Sequence, residues 1–230
     1  MSDINSELWE LLDLTEDYLK GGYRRDHPVA PELTQAETTG SRDASLEEIA
    51  AEISVCEKCG LCSGRTKTVP GEGVVDPLVM VIGEGPGADE DRTGRPFVGR
   101  AGQYLDKWLS AIRLSRGSNA FIGNVVKCRP PGNRDPLPEE SHACRPYLDR
   151  QIELIRPKAI LAVGRIAAQQ LLGTDAGIGK LRGGNYSYKG VPLFATYHPS
   201  GVLRNPDLRQ SVWDDLRKLR SFLDEKPIGE

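Results

Sequence analysis

Apolar residues recur along the chain in two distinct rhythms. Between Ser6 and Lys20, Leu8, Leu11, Leu12 and Leu19 stand at helical spacing, and Gly21 and Gly22 follow, which predicts a short amphipathic helix with a defined end. From Tyr23 to Asp43 prolines, threonines, glycine and charges show no apolar periodicity, which predicts a linker. Ser45 and Glu48 then have capping-box spacing ahead of Ile49, Ala50 and Ile53, so a second helix is expected to begin at Ser45. Beyond it the rhythm changes to short continuous apolar runs separated by helical segments. Leu78–Ile82 ending at Gly83, Ala120–Val126 and Ala159–Val163 read as strands. Helices are expected from about Gly99 to Ile112, over Pro138–Ile155 and Arg165–Leu172, and from about Asp207 to Leu223. Tyr186–Tyr188 and Leu193–Thr196 flank Lys189-Gly190 as a late hairpin or paired strands. Continuous apolar strands alternating with helices imply an α/β protein with a mainly parallel sheet covered on both faces. Its ligand site is expected beyond the carboxyl ends of the strands.

At 230 residues with 38% hydrophobic content the chain can bury one sizeable core. One domain over residues 45–230, preceded by an appendage over 1–44, is expected. No apolar stretch approaches 18 residues, and the N-terminus carries neither a basic nor an apolar segment, so a cytoplasmic protein without membrane contact is expected. The net charge of −3 hides an asymmetry. Residues 1–57 hold 14 acidic against 4 basic side chains. Residues 92–134 hold Arg92, Arg95, Arg100, Lys107, Arg113, Arg116, Lys127, Arg129 and Arg134 against Asp106 alone, a basic belt suited to a polyanion or to a solvated surface.

Cys56 and Cys59 form C-x2-C, and Cys128 and Cys144 form C-x15-C after a gap of 68 residues. Four thiolates in this arrangement suit zinc or an iron–sulfur cubane, and spacing alone does not choose. Cys62 extends the first pair to C-x2-C-x2-C, but Thr66 stands where a ferredoxin run has its fourth cysteine, which places Cys62 outside the set. Three further peptides fall at expected strand ends: Gly83-Glu84-Gly85-Pro86-Gly87, Asn124, and His198-Pro199-Ser200. Singly, each has an ordinary structural reading as a tight connection, a turn residue or a cap. The glycine-rich turn lacks the Gly-Lys-Ser/Thr of a phosphate loop, which disfavours ATP hydrolysis.

Together, GEGPGADEDRTGRPFVGRAGQ at 83–103, NVVKCRPPGNRDP at 124–136 and HPSGVLR at 198–204, in order with the four cysteines, closely resemble the family 4 uracil-DNA glycosylases, over roughly residues 50 to 223. The resemblance implies a three-layer α/β/α fold and a structural [4Fe–4S] cluster on Cys56, Cys59, Cys128 and Cys144. It implies a DNA repair enzyme that flips uracil out of DNA, hydrolyses its N-glycosidic bond and leaves an abasic site. Gly83, Glu84 and Gly85 would contact the base, and Phe97 would stack on it. Asn124 would read its edge, because an amide matches N3–H and O4 of uracil and mismatches cytosine. His198 would donate to O2 as negative charge develops there. The Glu84–Gly87 turn is the candidate wall against the thymine methyl. Ser200 and Arg204 would grip phosphates, and Val202 or Leu203 would wedge into the vacated stack. Gly85 stands where family 1 enzymes carry a water-positioning aspartate. Glu84 is the first substitute, with Asp89, Glu90 and Asp91 as alternatives. No lysine nucleophile is evident, so a monofunctional enzyme is expected, and a lesion-scanning enzyme needs no symmetric partner. The acidic appendage is expected to act as a tether, or else to dock another repair or replication protein. Two rival functions are a covalent uracil-DNA trap and a non-catalytic nucleic-acid-binding cluster protein. The trap would need a histidine in an inserted basic loop, whereas Gly99-Arg100-Ala101-Gly102 runs straight into a helix, and the other histidines are His27 and His142.

Overall fold

A computed structural model describes residues 35–225 of the chain. The helix expected over Ser6–Lys20 lies outside the described residues. Contacts divide the chain into Met1–Thr38 and Thr39–Glu230, and the second unit holds every element below except the first turn of α1. Helix α1 spans Gln35–Ser54, so the linker expected to reach Asp43 is helical from Gln35 onward, and Ser45 and Glu48 lie inside the helix rather than at its start. The physical reason is tertiary support. Ile49 and Ile53 bury against Tyr147, and Arg42 pairs with Asp76, which holds a polar stretch helical where propensity alone would not.

Six strands form one sheet in the order β1-β3-β2-β4-β6-β5. They are β1 (Glu72–Gly73), β2 (Val79–Gly83), β3 (Ala120–Asn124), β4 (Ala159–Val163), β5 (Tyr186–Tyr188) and β6 (Val191–Thr196). The four central strands are parallel: Gly83 registers with Asn124, Val79 with Ala159, and Val163 with Thr196. β1 and β5 close the two edges antiparallel. Lys189 and Gly190, both at positive φ (50° and 79°), make the tight turn between β5 and β6 that the hairpin pattern required. β3 ends at Asn124, two residues before the expected Val126. Val125 and Val126 leave the strand and donate instead to the carbonyls of Gly83 and Glu84, lacing two strand-end loops together.

The remaining helices are α2 (Ala88–Thr93), α3 (Arg100–Ala111), α4 (Pro138–Ile155), α5 (Arg165–Leu172), α6 (Ile178–Leu181), α7 (Pro199–Arg204) and α8 (Arg209–Glu225). The final helix starts two residues later than expected, because Pro206–Leu208 forms a separate 3₁₀ turn. β2, β3 and β4 are buried along their whole length. Since side chains alternate across a strand, Met80, Ile82, Ile160 and Ala162 face α4 and α5 through Leu148, Ile152 and Leu171. Val79, Val81, Leu161 and Val163 face α3 and α8 through Leu105, Leu109, Val212 and Leu216. Each fully buried leucine or valine contributes roughly 1.5–3 kcal/mol, so the two layers lock the register. The result is the α/β/α sandwich anticipated from the strand pattern. Strand order reverses at β2, which has β3 on one side and β4 on the other, and a crevice opens there at the carboxyl ends.

Candidate active site

A cleft of about 570 Å³ occupies that crevice. Glu84 comes to it from the end of β2, Asn124 from β3, Gly164 and Arg165 from β4, and His198 from β6, while Phe97 enters on the loop between α2 and α3. Glycine is required where these groups converge. A Cβ on Gly83 would lie 2.5 Å from both Asn124 Oδ1 and Phe97 Cζ, so any larger residue there displaces one of them. Gly164, at φ 99°, has His198 Cβ 3.0 Å from its own missing Cβ. A Cβ on Gly85 would lie 2.8 Å from Val126 Cγ2, so any larger residue there must displace that side chain.

Phe97 adopts φ 51°, a left-handed conformation unusual for a bulky residue, and its ring centroid lies 5.8 Å from that of His198 with the planes inclined by 36°. The loop is held from both chemical sides. Glu90 Oε1 accepts from the N–H groups of Val98 (2.8 Å) and Gly99 (2.9 Å), and Oε2 accepts from Gly87 N–H (3.1 Å). Arg116 donates to the carbonyls of Pro96 (2.8 Å) and Phe97 (2.9 Å). Neither anchoring role is signalled by sequence spacing.

Asn124 is 1% exposed, and its side-chain Oδ1 has no hydrogen-bond partner among the described residues. A buried amide oxygen left unpaired is costly, and here it belongs to a residue lining the cleft. Its backbone carbonyl is fixed instead by Lys127 Nζ (3.0 Å), which also donates to Gln151 Oε1 (2.7 Å). Lys127 is fully buried, and burial pushes its ammonium down to about 8. It therefore does not belong to a surface belt. Arg95 pairs with Glu72, Arg116 with Asp106, Arg134 with Glu140 and Arg92 with Asp89, so most of that belt is consumed internally. Among the described residues, Arg100 and Arg204 line the cleft without an ion pair.

His198 caps α7. The N–H of Ser200 donates to Nδ1 at 3.2 Å, and Ser200 Oγ lies 2.7 Å from the same nitrogen. A backbone N–H can only donate, so Nδ1 is an acceptor and the neutral ring carries its proton on Nε2. Burial, reinforced by Arg204, pushes this imidazole down to about 4. The Ser200 hydroxyl proton is likewise committed to Nδ1, which leaves Ser200 holding the histidine rather than free to donate to a phosphate.

The four candidate carboxylates separate clearly. Glu90 is saturated by the three amides above, Asp91 is buried and accepts from Thr66 N–H (2.9 Å), and Asp89 pairs with Arg92 (3.1 Å). The Glu84 carboxylate carries no hydrogen bond among the described residues. Burial and the nearby Asp135 push it up to about 7, with Arg165 opposing. Asp135 and Arg165 are themselves ion-paired across the cleft wall. Of the two wedge candidates, Val202 is fully buried in the core, whereas Leu203 is 38% exposed.

The cysteines lie beside this apparatus. Cys128 and Cys144 are buried against the α4–α5 layer, Cys59 packs on the same cluster, and Cys56 packs on Ile49, Ile53 and Tyr147. Burial raises the Cys59, Cys128 and Cys144 thiols. Cys59 feels Cys56, Cys128 feels Cys144 and Cys59, and Cys144 feels Cys59 and Cys56. Arg65 donates to Cys128 Sγ (3.5 Å) and to the Cys56 carbonyl (2.6 Å). Ser141, one helical turn before Cys144, has a buried hydroxyl with no hydrogen-bond partner among the described residues. Among the described residues no three Cys, His, Asp or Glu side chains close around a single ion. Four thiols, a cationic donor and a spare hydroxyl match the chemistry of an anionic thiolate-ligated group.

Residues 70–217 match the family model of the uracil DNA glycosylase superfamily. The chain is 45% identical over 186 residues to the type-4 uracil-DNA glycosylase of Sulfurisphaera tokodaii, covering 77% of this chain and 84% of that one. It is 46% identical over 179 residues to the type-4 uracil-DNA glycosylase of Pyrobaculum aerophilum, covering 74% and 91%. With the type-4 enzyme of Thermotoga maritima it shares 42% identity over 187 residues, covering 80% and 97%.

Proposed function

The chain belongs to the uracil DNA glycosylase superfamily, and from that membership we propose that it is a monofunctional DNA repair enzyme that hydrolyses the N-glycosidic bond of uracil in DNA, releasing free uracil and leaving an abasic site. The observation that carries this reading is the unpaired, buried Oδ1 of Asn124, in a cleft that also holds the proton-bearing Nε2 of His198.

Uracil flipped from the duplex enters the cleft and stacks on Phe97, a contact worth roughly 1–3 kcal/mol. Asn124 Oδ1 accepts N3–H, and its amide N–H donates to O4. Cytosine reverses both polarities, and a site built on such bonds rejects the wrong partner by roughly 10⁴–10⁵. The Glu84–Gly87 turn excludes the C5 methyl of thymine. As the bond lengthens, His198 Nε2–H donates to O2, where negative charge collects, an interaction worth roughly 10²–10³ in rate. Glu84, once ionised, faces the positively charged sugar and orients the water that completes the reaction. It takes the role that Gly85, which has no side chain, cannot perform. Arg204 and Arg100 attract the phosphates, and Leu203 fills the gap in the base stack.

Cys56, Cys59, Cys128 and Cys144 hold a [4Fe–4S] cluster, supported by the thiol environment and by the Arg65 and Ser141 donors. Bound there, it supplies a rigid cross-link rather than redox chemistry, since removing a base moves no electrons. Cys128 follows Asn124 by four residues, so the cross-link steadies the base-reading loop. The compact unit Thr39–Glu230 is the glycosylase domain, which acts as a monomer on uracil-containing DNA, and the residues that precede α1 act as a tether. A covalent trap would need a nucleophile in the loop after Phe97, which passes from Gly99 directly into α3. No helix among the described residues is long and apolar enough to cross a membrane.

The test is a labelled oligonucleotide with one uracil, incubated with the anaerobically purified protein, with His198→Ala and with Asn124→Ala, and then cleaved with alkali. Cleavage at uracil alone, weakened at least 10²-fold in both variants, is expected. No cleavage by a cluster-loaded wild type rejects the enzyme, in favour of a trap if a heat-stable adduct forms and of a binding module if none does.

A further inference from the structure

Phe97 is the platform of the cleft, yet its backbone sits in a conformation that bulky residues avoid. Something outside the cleft must over-determine it. Helix α3 contributes proximity: a Cβ on Gly102 would fall 1.9 Å from the Phe97 carbonyl oxygen, so that carbonyl is pressed against the helix backbone. The other face of the same peptide meets Arg116, which lies in the loop between α3 and β3. Its Nη1 donates to the Pro96 carbonyl at 2.8 Å, and its Nη2 donates to the Phe97 carbonyl at 2.9 Å and to Asp106 Oδ1 at 2.8 Å. Nε reaches the same Asp106 oxygen at 3.2 Å, and Glu72 Oε2 lies 3.6 Å from Nη1.

One guanidinium thus spans two consecutive carbonyls, aimed by an acid on α3 and another on edge strand β1. Arg116 does not line the cleft. Its side chain is only 15% exposed, so these partners are held largely away from competing water. Glu72 is also gripped by Arg95, one residue before Pro96, so the same network fixes the segment entering the platform. A planar fork is needed for this task, because an ammonium is a point donor and cannot serve two carbonyls in fixed directions while both acids orient it.

We propose that Arg116 is the positioning residue for base stacking, holding the Pro96 and Phe97 carbonyls so that the Phe97 ring keeps its register with His198. This rests on the glycosylase reading above. The two rings are 5.8 Å apart, and a base stacked on one is polarised by the other, so a tilt of the platform misplaces O2 relative to Nε2.

The full-length protein is compared with Arg116→Ala, Arg116→Lys, Phe97→Ala and the Arg116→Ala/Phe97→Ala double variant, using single-turnover uracil release at saturating enzyme. Arg116→Ala is expected to slow release roughly 10- to 100-fold. In the Phe97→Ala background the same change is expected to cost nothing further, because the residue acts through the ring that has been removed. Guanidinium ion is expected to restore part of the rate to Arg116→Ala only while Phe97 is present. Arg116→Lys is expected to recover the melting temperature without the rate, which separates positioning from folding. Release within twofold of wild type in Arg116→Ala, or an equal loss with and without Phe97, overturns the proposal. Should the wild type release no uracil, the glycosylase reading fails, and crystal structures decide the inference independently. Phe97 leaving positive φ in Arg116→Ala supports it, and retention of φ near 51° overturns it.

Discussion

On the proposed mechanism Glu84 is expected to make the rate of uracil release a steep function of pH, and the structure sets the magnitude. Burial, with Asp135 second, pushes its carboxyl up to about 7, and the proposed reaction uses the ionised form. A group titrating at about 7 is roughly one hundredth ionised at pH 5, half at pH 7 and nine-tenths at pH 8, so the single-turnover rate should rise about 90-fold from pH 5 to pH 8. An ordinary solvated glutamate would be mostly ionised already at pH 5 and would change the rate only about 1.3-fold over the same range. His198 does not confuse the measurement. Burial pushes its imidazole down to about 4, and its active form is neutral, so it is already about nine-tenths active at pH 5. The assay is single-turnover release from a uracil oligonucleotide at saturating enzyme, with Glu84→Gln and Asp135→Asn in parallel. Glu84→Gln should be slow and flat across the range. Asp135→Asn should move the rising limb to lower pH, since it removes a neighbouring negative charge and leaves Arg165 to favour the carboxylate. A wild-type rate flat within twofold from pH 5 to 8, or a limb that survives Glu84→Gln, would refute the assignment.

Gly83→Ala puts a methyl group 2.5 Å from both Asn124 Oδ1 and Phe97 Cζ; it should cost roughly 1–3 kcal/mol by denaturant melting and slow release at least tenfold, because the base reader and the platform cannot both stay in place. Cys144→Ser removes a thiol buried beside Cys128. It should abolish the sulfide-to-iron absorption, lower iron content and reduce the melting temperature, whereas Cys62→Ser should leave all three close to wild type.

Much of the architecture is legible without coordinates because it follows from local rules. The runs Val79–Ile82 and Ala159–Val163 are apolar at every position, short, and followed by Gly83 and Gly164, which favours strands buried on both faces over helices. Lys189-Gly190 between two short β-prone runs demands a tight turn. The three motif peptides fall at strand ends because a parallel sheet leaves its loops there. Where local rules failed, longer contacts had overridden them. The polar stretch from Gln35 to Ala44 is helical next to a segment anchored by Ile49 and Ile53 on Tyr147, and Val125-Val126 leaves its strand to bond the Gly83 and Glu84 carbonyls.

Sequence by itself determined which chemical groups are available: five cysteine thiols, a glycine-rich turn, the Asn124 amide, the His198 imidazole and an excess of cations over residues 92–134. Tertiary structure alone decided what each is free to do. Glu84, Asp89, Glu90 and Asp91 are similar acids within eight positions, yet the carboxylates of three are occupied by amides or arginine, and that of Glu84 is left without a hydrogen bond in a cleft that raises it to about 7. Lys127 and Arg116 read as surface cations, yet both are turned inward to hold the carbonyls behind Asn124 and Phe97. His198 is held neutral by burial, reinforced by Arg204, and the Ser200 N–H on Nδ1 leaves its proton on Nε2. The reason is common to all of these. A side chain's charge state and free valences are set by solvent exclusion and by partners brought from elsewhere in the chain, neither of which is encoded in spacing along it.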